Sequence, residues 1–352
     1  MTFTDLTLGY YLVDTSLGSL CSLDTTAPSV TIKEKNSDTT IEKKIVITGD
    51  EKVDSNSAGI GDTVNFSITI TVKDGAPKGY VLHDKLSGLT FDPNSLEVKV
   101  GTTTLTANTD YTLETNPADG DSFDVKFKDG KLKTNDVVVV TYSATVAANA
   151  TIAGAGNKNT AKLVYNEKDS TKEETTTYVW KLNVHKYALD STNHEVALSG
   201  AKFVLYRMDN GVKKYAKLTN KKIVGWVTDK DNATTLETSG TGDILIEGLN
   251  VGTYYLEETE APVGYNKLTE PIEVEITATT SVTSGSETVQ YKNSSETSYT
   301  PATDATVKVL NNAGTQLPST GGIGTTLFYV VGSGLMVAAI VLLVTKKRMN
   351  NK

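Results

Sequence analysis

Residues Val64–Val72 read VNFSITITV, and the alternation is unbroken. Val64, Phe66, Ile68, Ile70 and Val72 fall on one face, with Asn65, Ser67, Thr69 and Thr71 on the other. A period of two in β-branched and aromatic residues is the pattern of a strand with one buried face. A second strand is read from DVVVVTYSATV, Asp136–Val146. Further short apolar runs are separated by GD, DG and PN turns, so the expected architecture is a β-sandwich. Upstream lies TIEKKIVITGD, Thr40–Asp50, where Ile41, Ile45 and Ile47 share a face. Lys43 has the same parity and Lys44 the opposite one. An unpaired ammonium group in an apolar core is expensive, so an inward Lys43 requires a reason.

The composition narrows the choices. The chain has 352 residues, enough for two or three domains, and a net charge of -8, which argues against a nucleic-acid partner. Three histidines (His83, His185, His194) and the single Cys21 exclude an intrachain disulfide and a Cys/His zinc cluster. No nucleophile-elbow motif is present, and no metal or cofactor is expected.

The C-terminal end carries a sharper signal. Thr325–Val344 is a run of about twenty residues without a charge, long enough to span a bilayer core. Lys346, Lys347 and Arg348 in the basic tail 345–352 mark its cytoplasmic side, so the upstream chain is expected outside the cell. LPSTG, formed by Leu317, Pro318, Ser319, Thr320 and Gly321, precedes the span. At the other end, MTFTDLTLGYYLVDTSLGS lacks the basic start and apolar core of a signal peptide. We read the chain as N-terminally shortened, or its start as misassigned.

The expected organisation is then a remnant of an upstream domain over 1–28, a linker over 29–39, and a β-domain over 40–177. A second β-domain over 178–315 and the terminal signal over 316–352 complete the chain. The second domain repeats the lysine puzzle. In KLNVHKYA, Leu182, Val184, Lys186 and Ala188 share a face. In GTYYLEETEAPVGY, Tyr254 and Leu256 share one with Glu258; in ATVKVLNNAG, Val307 and Val309 share one with Asn311. Burial favours the neutral amine of a lysine and the protonated form of a carboxyl group. A neutral amine is a nucleophile, and an adjacent acid can move the protons needed for it to displace ammonia from a carboxamide. One inward Lys, one acid and one Asn therefore suffice to form a side-chain amide.

The E-box-like run Tyr254, Leu256, Glu258, Thr259, Ala261, Pro262, Gly264 and Tyr265 fits YxLxETxAPxGY. Together with LSGAKFVLY (Leu198–Tyr206) and VLNNAGTQLPSTGG, it resembles Gram-positive pilin subunits with B-type collagen-adhesin domains. The resemblance implies an isopeptide bond between Lys186 and Asn311 with Glu258 as proton shuttle; Asn293 is the rival acceptor. IEKKI, GDTVNFSITITV, YVLHDKLSGLTF and GNKNTAKLVY follow the order of an A-type domain in shaft pilins. They imply a bond between Lys43 and Asn159 with Asp84 assisting, and Asn157 as rival. The expected fold is thus all-β, two tandem immunoglobulin-like sandwiches, A-type then B-type, ending in a transmembrane sorting helix.

By the same resemblance LPSTG is a sortase signal, cut between Thr320 and Gly321, and the span is a transient membrane anchor. VTIKEKN (Val30–Asn36) stands where shaft pilins carry their linking lysine, which makes Lys35 the candidate and Lys33 the alternative. The implied function is structural: a secreted, wall-anchored pilus subunit whose partners are a sortase, other pilin subunits and peptidoglycan. The second reading is an adhesin or pilus-tip protein that binds a host extracellular-matrix or cell-surface ligand. Enzymatic turnover is not expected, because each Lys/acid/Asn set would react once within its own domain.

Overall fold

The computed structural model describes residues 2–13, 19–32, 38–49, 51–73, 78–166, 168–293, 296–313 and 346. Before residue 325 these residues form strands and turns, with one helical turn, the 3-10 segment Lys230–Asn232. LPSTG, the expected span, Lys33 and Lys35 lie outside the described residues. Near the start, Gly9–Val13 and Ser19–Leu23 pair as a separate antiparallel hairpin.

The first core lies between two sheets. One is six-stranded and runs Lys52–Val53, Thr40–Val46, Thr63–Thr71, Val137–Val146, Leu89–Val100, Thr103–Thr104. The other centres on Phe123–Phe127, Val81–Leu86, Asn157–Tyr165 and Glu173–Tyr178. The alternation in Val64–Val72 is what fills the space between them: Val64, Phe66, Ile68, Ile70 and Val72 are all buried. Antiparallel pairing sets Ile45 against Phe66 and Lys43 against Ile68, and Phe66 in turn against Tyr142 on the far neighbour. The Thr40–Val46 strand ends sooner than its sequence suggests. Ile47 lies past its end and is exposed, whereas Ile41 and Ile45 are buried. A hairpin turn explains this: the Glu51 amide bonds to the Thr48 carbonyl and the Ile47 amide to the Glu51 carbonyl, so the chain reverses here and returns to the sheet edge as Lys52–Val53.

The second core is enclosed by twelve strands joined into one continuous hydrogen-bonded set. Its first strand, Trp180–Leu189, is flanked by Asp243–Leu249 and, in parallel, by the last strand, Thr306–Leu310. This pairing of first with last places Lys186 beside Val309. Glu258 comes from Gly252–Glu260, which follows Lys202–Asp209 in the sheet order.

The cores meet at Tyr178–Trp180. Val179 packs into the first core, and Tyr178 and Trp180 into the second, their rings stacked at 5.6 Å. Trp180 Nε1 donates to Ser57 Oγ (2.9 Å), Tyr178 OH to the Ser281 carbonyl (3.0 Å), and the Ile60 amide to the Gly248 carbonyl (3.0 Å). Gly248 has φ +95, and a Cβ there would stand 2.8 Å from Ile60 Cδ1, so only glycine permits this approach.

The register carries a direct test. Ile45→Ala should lower stability by about 2 to 5 kcal/mol, as for other buried aliphatic truncations. Ile47→Ala should stay within about 0.5 kcal/mol of the parent. Denaturant midpoints of the two variants check this.

Candidate functional site

Lys43 projects from the six-stranded sheet into the first core and is fully buried. Asp84 and Asn159 reach the same point from the facing sheet, also fully buried. Their strands are neighbours: Asn159 pairs with Leu86, and Ala161 with Asp84. The opposed sheets therefore bring together groups that lie far apart in sequence. Lys43 Nζ stands 2.5 Å from Asp84 Oδ2. Burial pushes the Lys43 ammonium toward the neutral amine against the pull of Asp84, and pushes the Asp84 carboxyl up against the pull of Lys43. Phe66 and Tyr142 lie 5.6 and 5.4 Å from Nζ, centroid to nitrogen, which keeps this environment apolar.

Tyr142 is the member that sequence reading missed. Its hydroxyl accepts from Lys43 Nζ at 2.8 Å and from Asn159 Nδ2 at 2.8 Å, and donates to Asp84 Oδ2 at 2.9 Å. One donor and two acceptors are the whole capacity of a phenol, and all are used. Burial, followed by the Asp84 charge, pushes the phenol well above its ordinary value, so it stays protonated. The signal was in the sequence: Tyr142 has the inward parity of Val138, Val140 and Ala144, and a buried tyrosine hydroxyl generally has a partner. The opposing strand is irregular at this point. Pairing slips between Thr141 and Ser143 opposite Leu89–Val100, and Ser95 Oγ accepts from the Ser143 amide (2.8 Å). Bulges of this kind re-aim side chains.

Asp84 is therefore joined to Asn159 through Tyr142. Asp84 Oδ1 and Asn159 Oδ1 are both buried without a hydrogen-bond partner. The rival Asn157 is buried too, but differently engaged. It accepts from the Thr151 amide and donates to the Thr151 and Thr177 carbonyls, which holds the backbone at the start of its strand.

In the second core the corresponding set is more compact. Lys186, Glu258 and Asn311 are each at most 2% exposed. Lys186 Nζ donates to Asn311 Oδ1 at 2.7 Å and lies 3.2 Å from Glu258 Oε1. The same Oε1 lies 3.5 Å from Asn311 Nδ2. One carboxyl oxygen thus faces both the amine and the carboxamide nitrogen. The other, Oε2, is fixed by the Leu268 amide at 2.7 Å. Asn311 sits one residue beyond the last strand, where its amide bonds to the Tyr187 carbonyl. Burial pushes the Lys186 ammonium toward the neutral amine, opposed by Glu258. Phe203 lies 5.5 Å from its Nζ. The rival Asn293 is exposed and bonds to Glu296, away from Lys186. Asn157→Ala should cost about 1 to 3 kcal/mol through its stranded backbone partners, and Asn293→Ala close to nothing, as thermal denaturation would read.

Comparison with known proteins adds the following. Residues 180–289 match the SpaA prealbumin-like fold domain family, and residues 310–351 match the LPXTG cell wall anchor motif. The trypsin-resistant surface T6 protein of Streptococcus pyogenes serotype M6 is 24% identical, over 89% of this chain and 70% of its own. Among solved structures, the pilus 2b backbone protein of group B streptococcus aligns with a TM-score of 0.59 at 24% identity, covering 79% of this chain and 99% of that one. Full-length RrgB, the major pilin of Streptococcus pneumoniae, gives 0.58 at 18% identity over 85% and 79%. BcpA, the major pilin subunit of Bacillus cereus, gives 0.53 at 19% over 87% and 82%. The chain has the fold of these backbone pilins and the anchor of a cell-wall-attached extracellular surface protein.

Proposed function

We propose that this chain is a structural subunit of a covalently assembled surface pilus, in its shaft, reinforced by two self-made isopeptide bonds. The observation that carries the reading is the convergence, in each core, of a buried lysine, a buried acid and a buried asparagine. In the second domain the Lys186 ammonium passes a proton to Glu258 across 3.2 Å, leaving an amine. The amine attacks Asn311 Cγ, and a C–N amide bond forms. Glu258 then delivers its proton to Nδ2, the Cγ–Nδ2 bond breaks and ammonia leaves, and the regenerated Glu258 carboxylate takes the second proton from the former Lys186 nitrogen, which leaves a neutral amide. In the first domain Lys43 gives its proton to Asp84 and its amine attacks Asn159 Cγ. The proton passes through Tyr142 to Nδ2, the Cγ–Nδ2 bond breaks, ammonia leaves, and Asp84 takes the second proton from the former Lys43 nitrogen. Fixed contact distances supply most of the rate advantage, and the apolar walls exclude competing water.

The architecture supports a load-bearing role. The Lys186–Asn311 bond would short-circuit the 125 residues that separate its ends, so tension would bypass the hydrogen-bonded ladders. By the loop-closure argument for cross-links, each bond contributes about 5 kcal/mol. Sortase cleavage between Thr320 and Gly321, and attack on the acyl-enzyme by Lys35 of another copy, with Lys33 as the alternative, complete the proposal. The partners are then a sortase, further pilin subunits and, at the base, peptidoglycan. The side-chain chemistry runs once per domain, so the chain is a sortase substrate and not a turnover enzyme.

Intact-mass measurement tests the chemistry. Two ammonia losses should leave the full chain about 34 Da light, and Glu258→Ala should restore about 17 Da. Tyr142→Phe should slow the first-domain bond by about a hundredfold or more and leave the second unchanged. A full-length mass without deficit sinks both bonds.

A further inference from the structure

Back to back with the first-domain site, on the outer face of the same strands, lies a second cluster of ionisable groups. His83 and Asp124 are directly paired across neighbouring strands, and the hairpin between Thr115 and Phe123 lays Asp119 and Asp121 over them. His83 Nδ1 is 2.9 Å from Asp124 Oδ1, 3.3 Å from Asp121 Oδ2 and 3.4 Å from Asp119 Oδ2. The ligating atoms of all four residues lie within 4.8 Å of one another.

Two features separate this cluster from an ordinary acidic loop. The Asp124 side chain is 97% buried, and its Oδ1 points into the cluster without a hydrogen-bond partner. His83 Nδ1, close as it is, also makes no hydrogen bond, so the ring does not satisfy that oxygen. Leaving a buried carboxylate oxygen unsatisfied is costly. Among the described residues no lysine makes a close ion pair with the three carboxylates: Lys126 stands 3.9 Å from Asp124 Oδ2 and is itself bonded to Glu114.

We propose that His83, Asp119, Asp121 and Asp124 bind one divalent transition-metal ion of the zinc type. Bonds of about 2.0–2.1 Å to a tetrahedral ion place neighbouring ligand atoms about 3.3–3.4 Å apart, which matches the Nδ1 spacings to Asp121 and Asp119, while Asp124 at 2.9 Å has to draw back by a few tenths of an ångström. An imidazole nitrogen suits zinc, whereas calcium takes six to eight oxygens at longer distances. Counting cysteines and histidines excludes a Cys/His site and overlooks this one, because three of its ligands are aspartates. The bound ion would pin the Thr115–Phe123 hairpin to the strand that carries Asp84.

The test is calorimetric titration of the chelator-stripped full chain with zinc chloride, beside thermal unfolding with and without zinc. One zinc per chain and a raised first-domain unfolding temperature are expected. His83→Gln and the double variant Asp119→Asn/Asp121→Asn should each weaken binding by about tenfold or more. The double variant lies on the hairpin outside the core, so it reports even if His83→Gln impairs folding. Absence of stoichiometric zinc binding overturns the proposal, as does zinc binding that both variants leave unchanged. Calcium chloride binding more tightly than zinc overturns the assignment of metal class.

Discussion

The cost of taking a lysine ammonium out of water organises each half of this molecule. Lys43 and Lys186 are among the largest fully buried side chains, in company with Trp180, Tyr178 and Phe66. An ammonium in that setting without a counter-charge costs several kcal/mol after relaxation. Each lysine therefore demands an acid across the core, and each acid an arrangement that tolerates its own burial. Asp84 meets its lysine at 2.5 Å, and Glu258 is held by a backbone amide while it faces Lys186. A buried ion pair is no better for stability than well-packed apolar side chains. Its presence in both cores, each time with a buried asparagine, makes chemical sense if the charges disappear in the reaction.

That demand constrains the strand arrangement. In the first domain the lysine and the asparagine come from opposite sheets, so the bond would lock the two layers of the sandwich together. In the second the lysine and the asparagine come from the parallel first and last strands, so the bond would close the domain at the points where chain enters and leaves. The joint at Tyr178–Trp180 is fixed by an aromatic pair stacked in the second core, and by hydrogen bonds from Trp180 to Ser57 of the first unit and from Tyr178 to Ser281 of the second. Close approach there depends on Gly248, where a side chain would collide with Ile60.

Much of this was legible from strand parity. Alternation in Val64–Val72 and Gly252–Glu260 identifies inward positions, because a pleated strand allows only two faces. It marks Lys43, Lys186, Asp84, Glu258, Asn159 and Asn311 as inward. Parity cannot rank residues two apart, which is why Asn157 stands as a rival to Asn159; the two differ in their hydrogen bonds, Asn159 reaching Tyr142 and Asn157 the Thr151 and Thr177 backbone. It also overran at Ile47, where a turn ends the strand. Tyr142 escaped because a tyrosine among valines reads as core, and its role lies in the hydroxyl, which depends on what the opposite sheet presents. The His83 cluster escaped for a related reason: cross-strand pairing and a hairpin assemble it, and no spacing motif encodes either.

The central claim is that the two lysines end as amides. Tandem mass spectrometry of a protease digest of the full chain tests this most directly. The account predicts branched peptides joining Lys43 to Asn159 and Lys186 to Asn311, each about 17 Da lighter than the sum of its parts. Linear peptides carrying unmodified Lys43, Asn159, Lys186 and Asn311, or branches through Lys44, Asn157 or Asn293, would contradict it.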